Sequence, residues 1–383
     1  MSQPSPLDLP ASAPRRRPLP TARWALLACV AASLVGRPGG AEPVETSLSL
    51  MGQVRHLAEP AVDDPATGDD ESLQSDRHDF TLRRLRIGAG ARKGEIAAKA
   101  LVALDRGKVR LLTGAVTLRL PSKIRLTVGQ TKRLLAQAYL DGAAHQRLIE
   151  RAALSDSFGG ERDLGAVASW RGLGKRLEVR LAVWNGAGPN VAGNSVGMPW
   201  FEGRIDGQIG ARVDVEEPEI GKALGLRLGA AASWGRLAAE RSDSNGLVTR
   251  YDNQVAASAT AAVRWAGLEL RVEGLSRSDA PVDARTNASG PLPVATVQQL
   301  GVWGQLAWQM VRHWQLAARV EHHVRDLDKD DRWGRRVDAG VSWRPDRDDD
   351  LKVQLGWQRR DEGRSGGTSL VTQRLQLQLQ WRM

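Results

Sequence analysis

The chain is short of cysteine and of two aromatic types: its 383 residues include one Cys, three Phe and two Tyr. A lone thiol, Cys29, excludes an internal disulfide and every metal site built on several thiolates. Long apolar runs are missing too. Beyond residue 41 no stretch approaches the ~20 apolar residues of a spanning helix, and mean hydropathy is −0.35. No glycine-rich phosphate loop, nucleophile elbow or zinc signature occurs, so no motif nominates an enzyme or a cofactor. The basic residues are spread along the chain without a compact stripe interleaved with aromatics, which argues against nucleic-acid binding. What the chain does hold is 40 glycines, 13 tryptophans and a net charge of +10.

Part of that charge belongs to the N-terminus. Arg15, Arg16, Arg17 and Arg23 precede an apolar run from Trp24 to Val35, and Gly39-Gly40-Ala41 offers small residues for cleavage. Residues 1–41 therefore read as an export signal removed before Glu42. A membrane anchor would need a longer run. The arginine pair lacks the surroundings of a twin-arginine signal, and the apolar run continues past Cys29, against a lipoprotein site. Without residues 1–41 the chain loses five arginines and one acid, so the net charge falls from +10 to +6 and no thiol remains.

From residue 44 onward apolar and polar residues alternate with period two, in segments of about ten, the length of a tilted membrane strand. The last segment is plainest. Leu375, Leu377, Leu379, Trp381 and Met383 share one face; Arg374, Gln376, Gln378, Gln380 and Arg382 share the other. Helical spacing would mix the two faces. The pattern predicts sixteen strands near 44–55, 79–91, 94–104, 109–119, 123–130, 163–171, 176–184, 203–215, 223–234, 255–266, 267–277, 296–309, 314–324, 336–344, 351–360 and 371–382. An even count suits a bacterial single-chain barrel with both ends on one side. Short links such as Arg92-Lys93, Pro121-Ser122 and Ala266-Gly267 alternate with long ones at 56–78, 131–162, 185–202, 235–254 and 278–295. Short periplasmic turns and longer outer loops mark this membrane class. The expected fold is an all-β transmembrane barrel over residues 42–383, in the bacterial outer membrane. Trp170, Trp184, Trp234, Trp265, Trp308, Trp343, Trp357 and Trp381 fall near strand ends, as an interfacial girdle requires.

If the apolar face meets lipid, the other lines a lumen, carrying Lys99, Lys123, Arg125, Arg180, Arg227, Arg271, Arg319, Arg336 and Arg374. Guanidinium groups stay charged and grip two oxyanion oxygens at once, and rings of such groups favour anions. Glu178, Glu269, Glu273, Glu321 and Asp338 share these faces, so cross-strand pairing that merely holds the wall is the competing account. Arg83 and Arg84 sit where the alternation slips phase, between Leu82 and Leu85. A bulge there would aim one arginine into the pore; a register error in the strand reading is the alternative. Asp63, Asp64, Asp69, Asp70, Glu71 and Asp76 make 56–78 an acidic loop whose spacing fits no calcium loop. His322 and His323 are adjacent on a strand and point to opposite faces, so they do not share a metal.

Several segments resemble the phosphate-selective porin O/P family, in family order over residues 79–188. Phe80 to Gly88 resembles its arginine-rich second strand. Arg125-Leu126-Thr127-Val128-Gly129-Gln130-Thr131-Lys132 resembles its valine-glycine-glutamine-aromatic-lysine strand end. Leu148 to Arg151 and Gly160 to Gly165 resemble the loop and strand that follow, and Val183 to Gly188 resembles its asparagine-glycine strand end. The resemblance implies a homotrimer of barrels, with the third loop, residues 131–162, folded into each pore. It makes Lys132, Arg151 and Arg162 pore or anion-binding residues, and Arg133, next to Lys132, is expected in the same group, as are Arg83 and Arg84. Thr131 departs from the aromatic of the motif, Arg133-Leu134-Leu135 from a proline-containing run, and Met383 from a terminal Phe. The partners expected are small anions such as phosphate, outer-membrane lipid and lipopolysaccharide, and the barrel assembly machinery. The function expected is passive diffusion with a modest anion preference. A barrel with an enzymatic rim site, or a non-conducting structural or adhesive barrel, are the alternatives.

Overall fold

The structure is a computed structural model and describes residues 43–60, 77–105, 108–158, 162–191, 198–213, 220–243, 246–281, 296–329, 333–345, 350–363 and 369–383. The proposed signal, with Cys29, and the acidic residues of the first outer loop lie outside these.

Alternation of apolar and polar residues can bury only one face of a sheet, and here the buried face is the polar one. Sixteen antiparallel strands form a closed barrel in which each pairs with its sequence neighbours and β1 with β16. The first eight are β1 (Glu45–Glu59), β2 (Arg77–Lys93), β3 (Ile96–Asp105), β4 (Lys108–Arg119), β5 (Ile124–Lys132), β6 (Arg162–Gly172), β7 (Leu177–Trp184) and β8 (Trp200–Gly210). The second eight are β9 (Gly225–Asp243), β10 (Gly246–Trp265), β11 (Leu268–Pro281), β12 (Val297–Val311), β13 (Trp314–Val324), β14 (Trp333–Trp343), β15 (Leu351–Gly363) and β16 (Ser369–Arg382). Closure leaves no strand edge unpaired, which hydrocarbon demands because it offers backbone groups no partner.

On β13, Leu316 and Val320 are exposed while Gln315, Arg319 and Glu321 are buried. On β16, Leu375, Leu377 and Leu379 are exposed while Gln376, Gln378 and Gln380 are buried. An apolar exterior over a charged interior is the reverse of a soluble protein, and only a bilayer accommodates it. Trp170, Trp265, Trp308, Trp314, Trp343 and Trp381 ring the end of the short connections, and Phe80, Phe201, Trp234, Trp357 and Trp333 the opposite end. Trp184 is a correction: it faces the interior, 1% exposed, and its indole N–H donates to Glu202 at 2.8 Å.

Two connections differ from expectation. The predicted outer loop at 235–254 is a hairpin, because β9 runs on to Asp243 and β10 begins at Gly246. The connection between β8 and β9, on the short-connection side, is long, and its described residues Val213 and Ile220 are buried. Its Ile220 packs with Leu148, Ala307 and Ala317 inside the barrel.

Candidate functional site

The site begins at the third outer connection. Gly129 adopts φ 130° at the end of β5, where a Cβ would meet the Gly114 carbonyl oxygen, so only glycine permits the close pairing that precedes the loop. The chain then leaves the wall and crosses the lumen, forming α1 (Gln137–Leu140) and α2 (Ala153–Phe158). Loop residues Leu134, Leu135, Tyr139, Leu148, Ile149, Leu154 and Phe158 are all buried.

Three inward carboxylates hold the loop by its backbone. Glu202 of β8 accepts from the Leu134 N–H at 2.7 Å and pairs with Arg133. Glu273 of β11 accepts from the N–H groups of Gln137 and Ala138, at 2.6 and 3.3 Å, and from the Trp303 indole at 2.9 Å. Glu321 of β13 accepts from the N–H groups of Ala153 and Leu154 at 2.7 and 3.3 Å. Cations take the loop's carbonyls. Lys352 donates to Ala144 and Gln146, Arg319 to Glu150 and Arg151, and Lys132 to Leu140 and Asp141. These are charge-assisted bonds in a buried setting, the stronger kind.

Most wall arginines are committed. Arg180, Arg204 and Arg227 converge on Asp206 at 2.6, 2.8 and 3.2 Å. Arg319 pairs with Glu321 and Asp338, Arg336 with Asp338, Arg271 with Glu269 and Asp141, and Arg374 with Glu59. Both accounts of the wall charge thus have their residues: pairing dominates from β7 round to β16.

The opposite sector differs. Between β1 and β2 the register shifts at Gln53/Val54, leaving Arg83 as the extra residue between Leu82 and Arg84. The bulge turns both arginines inward, where one was expected. Arg83 donates to the Ile149 carbonyl at 2.7 Å and joins Arg55 on Glu150. Burial would push the Glu150 carboxyl up, but Arg83, Arg55 and Arg84 outweigh it and hold it down at about 2. Arg84 donates to Gln53 at 3.2 Å. Arg86, two residues on, shares that face, and its Nε is buried without a hydrogen-bond partner among the described residues. Arg151 lies over the Tyr139 ring at 4.3 Å. Arg86 lies within electrostatic range of Arg84, Lys132, Arg151 and Arg162, and Arg151 within range of Arg84 and Lys132 as well. The carboxylates beside them are Glu150, held by Arg55 and Arg83, Asp141, held by Arg271, and Asp105, which faces Arg110 at 3.6 Å.

The remaining expected residues scatter. Arg133 stacks on Trp200 at 4.0 Å. Lys99 faces inward but is exposed, near the short-connection mouth, and Arg125 lies in that half, near Arg119 and Arg171. Lys123 is a correction. It sits in the turn 121–123, exposed, at φ 64°, and not on the wall. His322 and His323 do point to opposite faces, and His323 accepts from Arg325 at 2.9 Å. Sequence reasoning passed over Arg55, Arg86, Arg204 and Lys352. Arg86 was readable by parity with Arg84; Lys352 shows no signal until the loop's path is known.

No protein-family model matches the chain, and no curated protein matches it. Solved structures do. OmpT of Vibrio cholerae in its trimer form has a TM-score of 0.58 at 11% identity, covering 88% of this chain and 99% of that one. An anion-selective porin from Comamonas acidovorans gives 0.57 at 8% identity, covering 89% and 100%. The outer-membrane channel DcaP of Acinetobacter baumannii gives 0.56 at 12% identity, covering 91% and 100%. At such identities the likeness is one of fold. Together with the apolar exterior, it makes this chain a sixteen-stranded β-barrel of the bacterial outer membrane, built like the porins.

Proposed function

We propose that the protein is a passive diffusion channel with a modest preference for small anions, phosphate among them, and that it does no enzymatic chemistry. The observation that carries this reading is the group Arg84, Arg86, Lys132 and Arg151, gathered where the β2 wall faces the third loop; the carboxylates beside it are already paired elsewhere, Glu150 with Arg55 and Arg83, Asp141 with Arg271 and Asp105 with Arg110. Cations lining a constriction raise the local anion concentration and exclude cations. Several weak sites in a row suit conduction better than one tight pocket. The resemblance of residues 79–188 to the phosphate-selective porins supports phosphate among the solutes and a homotrimer as the working unit. The anion-selective Comamonas porin is a neighbour in fold and supports the sign of the preference.

A second reading, a non-conducting barrel with a structural or adhesive role, has the tight loop in its favour. The loop is bonded to strands from β1 to β16, and two cavities beside it hold about 20 and 30 Å³, room for one or two waters each. Swelling of liposomes containing the folded protein separates the two. Entry of small sugars, with anionic solutes faster than cationic ones of equal size, is the expected result. Liposomes that admit no solute would overturn the channel reading and leave the structural one.

A further inference from the structure

The outward face of the barrel is largely apolar; besides His56 and His78 on β1 and β2 and Arg236 on β9, its polar residues include one row on neighbouring strands. On β13, β14, β15 and β16, stepping eight residues up from Trp314, Trp343, Leu351 and Trp381 reaches His322, Arg335, Arg359 and Gln373. All four share the outward parity of the exposed Val320, Trp357 and Leu375. The same step on β10 and β12 reaches Ala257 and Leu300. The four polar residues are contiguous: His322 lies opposite Arg335, Arg335 opposite Asp361, and Arg359 opposite Gln373. Eight residues of a strand tilted as these barrels require rise about 20 Å. Against an apolar band of about 25 Å, the row sits where acyl chains give way to headgroups on the long-loop side.

We infer that this row binds the phosphate groups of an outer-leaflet lipid. Arg335 lies beneath Trp333, its guanidinium 5.1 Å from the ring centroid, and Arg359 follows Trp357 on the same face. On β15 the Trp357 ring sits toward the apolar edge and Arg359 toward the long-loop end, the order that suits ring and charge at the headgroup level, whereas on β14 Trp333 lies on the long-loop side of Arg335. Arginine matches phosphate with two parallel donors. Asp361 faces outward beside the row, and Arg359 already holds it at 3.0 Å. Asp361 is thus already paired, and a phosphorylated lipid brings Arg335 the complementary charge at the headgroup level. Arg236 on β9 also faces outward, but it donates to Asn253 at 3.4 Å and stands alone.

Native mass spectrometry of the purified, folded protein titrated with a bisphosphorylated lipid A tests this, with the dephosphorylated lipid as the second arm. Wild-type protein should bind the phosphorylated lipid well above the dephosphorylated one. The double variant Arg335→Gln/Arg359→Gln should lose roughly 30-fold in affinity, the scale set by two basic groups at an anionic membrane surface. Arg86→Gln, in the lumen, should bind as the wild type does. Equal affinity for the two lipids, or an unaltered affinity in the double variant, would overturn the proposal. So would a loss in Arg86→Gln, which would assign phosphate to the lumen. A double variant that changes the oligomer and not the lipid affinity would make this face a subunit interface instead. None of these outcomes depends on whether the barrel conducts.

Discussion

At the scale of single residues, the interior is governed by how each buried charge is matched. Glu150 is the balancing acid for Arg55 and Arg83, at 2.6 and 2.5 Å. Removing its charge frees two cations at the edge of the Arg84–Arg86 group. Glu150→Gln should therefore raise anion over cation permeability at neutral pH, read as a shift in reversal potential; an unmoved potential would place Glu150 outside the ion path. The pH dependence has a definite sign. The carboxyl is held at about 2, below its ordinary 4.5, so its ion pairs contribute fully above about 4.5 and are lost as pH falls toward 2. Wild-type permeability should approach that of the Gln variant over that window, and the variant should show no such change.

Glu273 makes a different case, because it accepts from two loop N–H groups and one indole. Glu273→Ala strands three donors in a buried setting and should cost about 2 kcal/mol or more. The urea midpoint of the folded, heat-modifiable form reports that loss. Glu273→Gln keeps an acceptor and should recover most of it.

At the scale of elements, the barrel and the loop have separate supports. The strand ladder closes without the loop, whereas the loop depends on Glu202, Glu273, Glu321 and Lys352 from the wall. Replacing residues 135–157 by a short glycine-serine link should leave a folded barrel whose single-channel conductance rises severalfold. A barrel that no longer folds would show the loop to be part of the core. This division also explains what was legible beforehand. Period-two alternation is a local signal, so all sixteen strands could be read, and the slip at Arg83 and Arg84 announced a real bulge. Which inward arginines are paired depends on register: Arg180, Arg204 and Arg227 meet at Asp206 only because β7, β8 and β9 align as they do. The inward fold of Ile220 onto Leu148 joins two distant connections and leaves no mark on strand periodicity. Trp184 misled because tryptophan at a strand end suits either a girdle or an inward hydrogen bond, and Glu202 decides for the latter.

At the scale of the whole molecule, charge is distributed by sector. From β7 to β16 the wall and the loop neutralise one another, while Arg84 and Arg86 of β2, Lys132 of β5 and the loop's Arg151 gather beside carboxylates that other arginines already hold. In the proposed channel an ion passes between a bound half and a charged half, and the proposed sign of the preference rests on the second. The most direct test is the reversal potential of single channels in planar bilayers under a steep potassium chloride gradient. Discrete ohmic steps are expected, with chloride carried in preference to potassium and that preference reduced in Arg84→Gln/Arg86→Gln. Folded, heat-modifiable protein that gives no steps, or steps that favour potassium, would contradict the account.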